Sequence, residues 1–489
     1  MIENKNFKRI GDVPVYAAKD VETSFFGIGF EKLDRNVFDP EKAYGKLSQI
    51  GVKHVRIQSG WQRTERQKGI YDFEWLDAIV DQLLAIGTEP WMCLCYGNEL
   101  YSENAKKVFG AVGCPPIHTD EERTAWQNYV RAVVTHFKGR ISLYEVWNEP
   151  DGNWCWKHGV SGREYGEFLI DTSRAVKAAD PEAKVVGGAV CCGESGWLDA
   201  MLSTGAGKYM DALSYHAYCF DETTQPFRIA HSIRAMLKLH GLAHLPLIQG
   251  ETGCPSRDDG NGALHCGAWT QEKQAKYLLR TSFLHLSQNV LFTSYFSTMD
   301  MIEALNGVAG DQESWLDYGY FGVLGTDFDQ NGFATGEYTP KKSYRALQTI
   351  AAVFRNSPEI CDDLPIGNTD DTGISWRTMR QPERFSQQTH LCFRRPDGSA
   401  AIVYWKPANL MTESIDSLVN IQYLKRCLPD PVRLIDLMDG SIYEIPPDLI
   451  QNGSVYQAEK DLNAGSAVEK IVDLPLKDYP LALTFGNFF

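Results

Sequence analysis

ISLYEVWNEPDGNWCWKHGVSGREYGEFLIDTSRAVKAADPEAKVVGGAV, residues 141–190, holds one complete strand–helix–strand unit. It opens on a β-rich run, ISLYEVW (141–147), which Pro150 closes, and continues into a long helical stretch at 161–180. A second β-rich run, KVVGGAV (184–190), ends the unit. Short runs rich in β-branched and aromatic residues read as strands, and the longer periodic stretch between them as a helix. The unit repeats along the chain. Strands are expected at 25–31, 53–58, 89–96, 141–147, 184–190, 212–218, 245–251 and 291–297. Helices are expected at 39–50, 73–87, 121–138, 161–180, 196–204, 226–241, 270–289 and 340–354, with start signals at Asp120 and at Asp39-Pro40. Eight strand–helix units close into a (β/α)8 TIM barrel, here residues 21–355. A doubly wound open sheet usually has fewer repeats and a glycine-rich phosphate turn after its first strand, and that turn is absent.

From about residue 356 the pattern changes. HLCFRR, AAIVYWKP, PVRLIDLM and SIYEIP alternate with the turn signals PDG, MDG and NGS, and no long helix interrupts them. Residues 356–489 therefore read as a C-terminal antiparallel β-sandwich. The segment 1–20 precedes the first barrel strand, has no helix of its own, and is free to add a strand to that β-domain.

The chain has 489 residues, with 63 Asp and Glu against 48 Lys and Arg and a net charge of −15. Such a surface repels phosphate backbones and anionic membranes, so neither nucleic acid nor membrane is an expected partner. No apolar run reaches the length of a bilayer span or forms a signal-peptide core at the amino terminus. The 12 cysteines form no CxxC and the 11 histidines no HxH or HExxH. The expectation is a cytoplasmic protein with reduced thiols, no metal and no cofactor; homo-oligomer formation is left open.

Residues at the carboxyl ends of barrel strands face the active site. Those ends carry Glu31, Arg56, Tyr96, Asn148, Glu149, His216, Tyr218, Glu251 and Phe296. Glu149 on strand 4 and Glu251 on strand 7 would face each other across the mouth, the arrangement that cleaves glycosidic bonds. One carboxyl protonates the leaving oxygen while the other attacks or activates water. Asn148 and Glu149 are adjacent, so the strand must end or bulge for both to enter the site. His216 and Tyr218 share a face, and Tyr218 is placed to donate to Glu251. Arg56, buried near the barrel top, needs an anionic partner, with Glu251 the candidate.

YEVWNEPD followed by a helix and KVVGGAV resembles the acid/base strand of glycoside hydrolase clan A, a group of retaining TIM-barrel glycosidases. SYHAY, LPLIQGETG and TSYFS are similar to that clan's strands 6, 7 and 8. With YFGVLGTDF and TPKKSYRAL, the chain most resembles family 39, the β-xylosidases and α-L-iduronidases, over roughly residues 20–355. The resemblance implies Glu149 as general acid/base, Glu251 as nucleophile and Asn148 as a ligand of the sugar 2-hydroxyl, with His216, Tyr218 and Arg56 in support. Two features depart from the family. Phe296 stands where strand 8 usually supplies a tryptophan, and strand 7 reads QGETG rather than ITE; both bear on the substrate more than on the reaction.

Trp154 and Trp156 on the strand-4 loop, Trp61 on the strand-2 loop and Trp315 on the strand-8 loop are candidate sugar platforms. The long loops 97–119 and 298–338 suggest a closed pocket around a chain end, hence exo action. Asp300, Glu303, Asp311, Glu313, Asp317, Asp327 and Asp329 line the strand-8 loop with no basic residue between them. They argue against a uronate and for a terminal neutral sugar on an oligosaccharide or glycoside. An endo-acting glycanase or a transglycosylase would use the same two glutamates. A non-catalytic carbohydrate-binding barrel would have little reason to keep both.

Overall fold

The computed structural model describes residues 7–222, 224–303, 317–362, 364, 366–370, 377–378, 389–452 and 468–489. After a first strand, β1 (Lys8–Asp12), eight strands form a closed parallel barrel. They are β2 (Phe26–Gly29), β3 (His54–Gln58), β4 (Glu89–Leu94), β5 (Leu143–Val146), β6 (Lys184–Val190), β7 (Ala212–His216), β8 (Leu247–Thr252) and β9 (Thr293–Tyr295). β9 pairs with β2 and closes the ring. Every residue of β2, β7, β8 and β9 is buried, as expected of parallel strands covered on both faces.

The connecting helices are α1 (Glu41–Ile50), α2 (Trp61–Thr64), α3 (Glu74–Ala85), α4 (Asp120–His136), α5 (Gly162–Ala179), α6 (Ser195–Leu202), α7 (Gln225–Leu239), α8 (Gln271–Leu286) and α9 (Lys342–Val353). Asp120 is the first residue of α4 and not its cap. The cap is Thr119, whose hydroxyl accepts from the Glu122 amide while the Glu122 carboxylate accepts from the Thr119 amide. α1 likewise starts behind Pro40 without a side-chain cap. Among the described residues, no helix is long and apolar enough to cross a membrane.

Several barrel strands are shorter than the sequence suggests. β4 ends at Leu94, β5 at Val146 and β9 at Tyr295, because the chain leaves the barrel wall at the mouth to bring side chains inward. Among its described residues, the excursion after β9 contains two antiparallel pairs, Met301–Ile302 with Tyr318–Gly319 and Leu324–Phe328 with Ala334–Pro340.

Beyond α9 the described residues form two sheets. The larger runs β1, Ser441–Glu444, Val432–Asp436, Leu481–Phe485, Ala400–Trp405, Thr389–Arg394 and Glu359–Cys361, with Arg377–Thr378 beside Thr389–Arg394. The smaller runs Ile366–Asp370, Asp416–Leu424, Val468–Lys477 and Ile450–Asn452. β1 lies antiparallel to Ser441–Glu444. Phe393 of the larger sheet packs on Phe283 of α8 and on Phe354 just after α9.

A buried ion cluster joins the barrel to these sheets. Arg280 of α8, fully buried, pairs with Glu222 and with Asp478, and donates from Nε to the Asp478 carbonyl at 2.5 Å. Lys276 reaches Asp478 Oδ2 at 2.9 Å. Removing one member of such a cluster leaves a buried charge unpaired. Asp478→Ala is expected to destabilise the protein by about 3–5 kcal/mol. Urea unfolding followed by circular dichroism checks this, and a midpoint within error of wild type would contradict it.

Candidate active site

Regular strands cannot send neighbouring side chains to one face, so the mouth is built from broken strands. β5 ends at Val146, and Trp147 (φ 68°) and Glu149 (φ 46°) then adopt left-handed backbone. The turn is held by Trp147 N–H donating to the Leu94 carbonyl and Glu149 N–H to the Ala189 carbonyl, both at 3.1 Å, and by Trp147 Nε1 donating to the Cys155 carbonyl at 2.8 Å. Strained backbone of this kind persists where surrounding contacts impose it, often at functional sites. Ala189 is itself left-handed (φ 48°), at a register shift between β6 and β7. Further shifts fall at Tyr215/His216 and between Gln249 and Thr252. Each re-aims side chains at the carboxyl end of its strand.

Arg56 of β3 is fully buried and central. Its guanidinium pairs with Glu145 Oε2 (Nε 2.9 Å, Nη2 2.5 Å), Glu251 Oε2 (2.9 Å) and Glu31 Oε1 (2.9 Å), and donates to Asn148 Oδ1 (2.7 Å). Three carboxylates against one guanidinium leave an excess of negative charge in a water-poor space.

Glu251 receives a second donor, the Tyr218 hydroxyl, on Oε1 at 2.5 Å. Glu149 receives Trp154 Nε1 on Oε2 and faces His216 Nδ1 from Oε1 at 2.8 Å. His216 Nδ1 also lies 3.8 Å from Glu251 Oε2. Carboxylate oxygens of Glu149 and Glu251 and a nitrogen of His216 all lie within 4.8 Å of one another. Gly250 permits this approach, because a Cβ there would meet Ser214 Oγ at 2.4 Å and Glu145 Oε1 and His216 Nε2 at 3.4 Å.

Burial pushes the Glu251 carboxyl up to about 7, with Glu31 adding to the rise and His216 and Arg56 opposing it. Burial also acts on Glu149, but its hydrogen bond and charge contact with His216 outweigh that and hold it below the ordinary carboxyl value. His216 moves the other way. Burial would lower it, yet Glu251 and Glu149 raise it. The Glu149–His216 contact thus holds one proton, on the imidazole or on the carboxyl.

Of the other candidates from the sequence, Glu31 lies just beyond β2 and joins Arg56. Tyr96, just past β4, accepts from Gln58 Nε2 at 3.3 Å and stands edge-on to Trp147. Phe296, 8 % exposed, packs against Phe321 and lies 5.7 Å from Lys32 Nζ. Trp315, Asp311 and Glu313 lie outside the described residues. Trp61 and Trp156 are fully buried and cannot serve as sugar platforms. Trp61 stacks with Tyr101 and Tyr129, and Trp156 packs on Trp147 and Phe168.

The expected acidic wall is also weaker than its sequence. Asp300 is buried against Lys341 Nζ at 2.6 Å, and Glu303 lies 3.4 Å from Lys32. Neither cation is near in sequence to its partner.

Sequence reading missed Glu145, Lys32 and Gln58. A glutamate inside an otherwise apolar parallel strand was the available signal, since such a charge is buried only when paired. Glu149, His216 and Glu251 also meet the spacing of a metal-ligand trio, but the Arg56 guanidinium stands 2.9 Å from Glu251 Oε2, and its charge would repel a second cation there. A cavity of about 530 Å³ lies on the side of the mouth where Arg35 bonds Gln58 and covers the Tyr96 ring; it is lined by Arg35, Arg63, Arg66, Asp34, Glu65 and Glu99 among others.

Residues 40–244 match the glycosyl hydrolases family 39. The chain is 29% identical over 236 residues to a β-xylosidase of Geobacillus stearothermophilus (42% of this chain, 45% of the relative). It is 26% identical over 193 residues to a β-xylosidase of Caldicellulosiruptor saccharolyticus (35% and 38%). The chain thus spans less than half the length of the curated relatives it matches. Two solved structures share the fold across nearly the whole chain. A family 39 glycoside hydrolase from Bacteroides cellulosilyticus superposes with TM-score 0.64 at 17% identity (97% of this chain, 83% of the other). A monomeric β-xylosidase from Caulobacter crescentus does so with TM-score 0.59 at 16% (98% and 97%). The sequence likeness to family 39 covers residues 40–244, and the likeness of fold extends over nearly the whole chain.

Without Arg56, the Glu251 carboxyl, which burial already pushes up to about 7, loses a cation that opposes that rise. Its folded pKa then lies still further above the unfolded one, so its stability contribution is lost as pH rises. Arg56→Met is expected to lose about 3–5 kcal/mol near neutral pH and distinctly less at pH about 5. Denaturant midpoints at the two pH values test this; an equal loss at both would contradict it.

Proposed function

We propose that the protein is a retaining exo-glycosidase that removes a terminal neutral sugar, xylose-like or glucose-like, from an oligosaccharide or glycoside. The observation that carries this is the approach of Glu149 and Glu251 to within 4.8 Å at opposed strand ends. Double displacement uses carboxyls about 5–5.5 Å apart, whereas inversion needs about 6.5–9.5 Å to admit a water. The names of two curated relatives, both β-xylosidases, favour the same substrate class.

In this reading Glu251 attacks the anomeric carbon while Glu149 gives its proton to the leaving oxygen. A covalent glycosyl-enzyme forms. Water then enters, Glu149 takes its proton, and the sugar leaves with its original configuration. Arg56 and Tyr218 hold the Glu251 carboxylate in position and favour its ionised form. His216 shares its one proton with Glu149, which passes it on to the leaving oxygen. Asn148, oriented by Arg56, is the ligand for the sugar 2-hydroxyl. Glu31, Tyr96, Trp154 and Phe296 form the walls of the sugar site. The cavity beside Arg35 mixes three acids with three arginines, which suits the hydroxyls of neutral sugars. The twelve cysteines form no CxxC, and we place the enzyme in the cytoplasm.

A panel of nitrophenyl pentosides and hexosides of both anomers tests the assignment. Glu149→Ala and Glu251→Ala are each expected to lose about 10²–10⁴-fold in turnover. Azide should rescue both, giving glycosyl azides of opposite anomeric configuration. Full activity in Glu251→Ala would remove it as nucleophile.

The pH profile is a separate test. The nucleophile must be ionised, so kcat/KM should rise with pH through an apparent pKa of about 7. Tyr218→Phe removes a donor to the ionised form and should move that limb to higher pH. An acidic limb that stays in place in the variant would contradict the role given to Tyr218.

A further inference from the structure

At the carboxyl end of β6 the chain presents two adjacent thiols, Cys191 and Cys192, with sulfurs 3.8 Å apart. Neighbouring side chains on a regular strand point to opposite faces. Here β6 has shifted register at Gly188/Val190 and ended at Val190, which brings both sulfurs to one side. Asp151, two residues after Glu149, holds this turn. Its Oδ1 accepts from the Cys191 amide at 2.9 Å, and its Oδ2 from the amides of Cys192 and Gly193 at 2.8 and 2.9 Å. The Cys191 thiol also donates to Oδ1 at 3.2 Å. Asp151 is buried, whereas Cys192 is open to solvent.

We propose that Cys191, Cys192 and Asp151 form a binding site for a soft divalent cation of the zinc class, on the rim of the barrel beside Glu149. One ligand atom from each of the three lies within 4.8 Å of the others. A tetrahedral zinc with Zn–S of about 2.3 Å has an S···S edge of about 3.8 Å and an S···O edge of about 3.6 Å. The observed separations are 3.8 Å between the sulfurs and 3.2 Å between Cys191 Sγ and Asp151 Oδ1. A disulfide would instead require the sulfurs to close to about 2.05 Å.

Binding balances simply. The two thiols release two protons, the ion forms two metal–thiolate bonds, and water fills the fourth position from the solvent side. Loss of the Cys191 proton frees the Asp151 Oδ1 lone pair that the thiol had occupied. Two thiolates select zinc-class ions over magnesium or calcium, which prefer oxygen.

The experiment uses the full-length protein, metal-free and kept reduced by a phosphine. Cadmium is added while the thiolate-to-metal charge-transfer absorbance is recorded, and zinc is then titrated against a chromophoric chelator. One cadmium per chain should saturate the band, and zinc should displace it. Cys192→Ser should lose the band and bind zinc at least about tenfold more weakly. Cys266→Ser, which alters an exposed thiol elsewhere, should change neither. Circular dichroism verifies that each variant is folded. Absence of the band in wild type, or its survival in Cys192→Ser, would overturn the proposal. The readout is independent of hydrolysis, so its failure and that of the glycosidase reading are distinguishable.

Discussion

One buried guanidinium constrains everything around the barrel axis. Arg56 on β3 binds Glu31 beyond β2, Glu145 on β5 and Glu251 on β8, and orients Asn148 as well. A charge taken out of water at this depth is tolerable only if it is paired, and here the pairing is with more negative charge than it carries. Burial pushes the Glu251 carboxyl up to about 7, and Arg56 opposes that rise. The guanidinium thus positions Glu251 and restrains its protonation at once.

The second constraint is geometric. A parallel strand alternates its faces, so a ring of eight regular strands could not crowd so many polar groups into one mouth. The chain solves this at the strand ends, with left-handed Trp147, Glu149 and Ala189 and with register shifts on β6, β7 and β8. The same device that admits Asn148 together with Glu149 also turns Cys191 and Cys192 to one side. The strain is carried by backbone hydrogen bonds between neighbouring strand ends and by Asp151, which ties the loop after β5 to the loop after β6.

Much of this was readable in advance because it depends on local pattern. The eight strand–helix units follow from periodicity, and the place where β5 must break follows from two polar residues in a row ahead of Pro150. What could not be read was partnership. Trp61 and Trp156 look like sugar platforms on loops, yet both are sealed into aromatic clusters. Asp300 and Glu303 look like a bare acidic wall, yet Lys341 and Lys32 neutralise them from distant segments. Glu145 looked like part of an ordinary strand and proved to be the closest counter-ion of Arg56.

Local pattern was enough to establish that the chain winds eight strand–helix units and then changes to antiparallel sheets. Hydrophobic periodicity and turn chemistry are properties of neighbouring residues. It also marked Glu149 and Glu251, because carboxylates at the ends of apolar strands are costly unless used. Folding in three dimensions set how far apart those carboxylates stand, which charges are neutralised, and which aromatic rings remain open to a ligand. Those depend on closing the ring and docking the sheets, which brings together residues from opposite ends of the chain, and electrostatics and packing act through space rather than along the sequence.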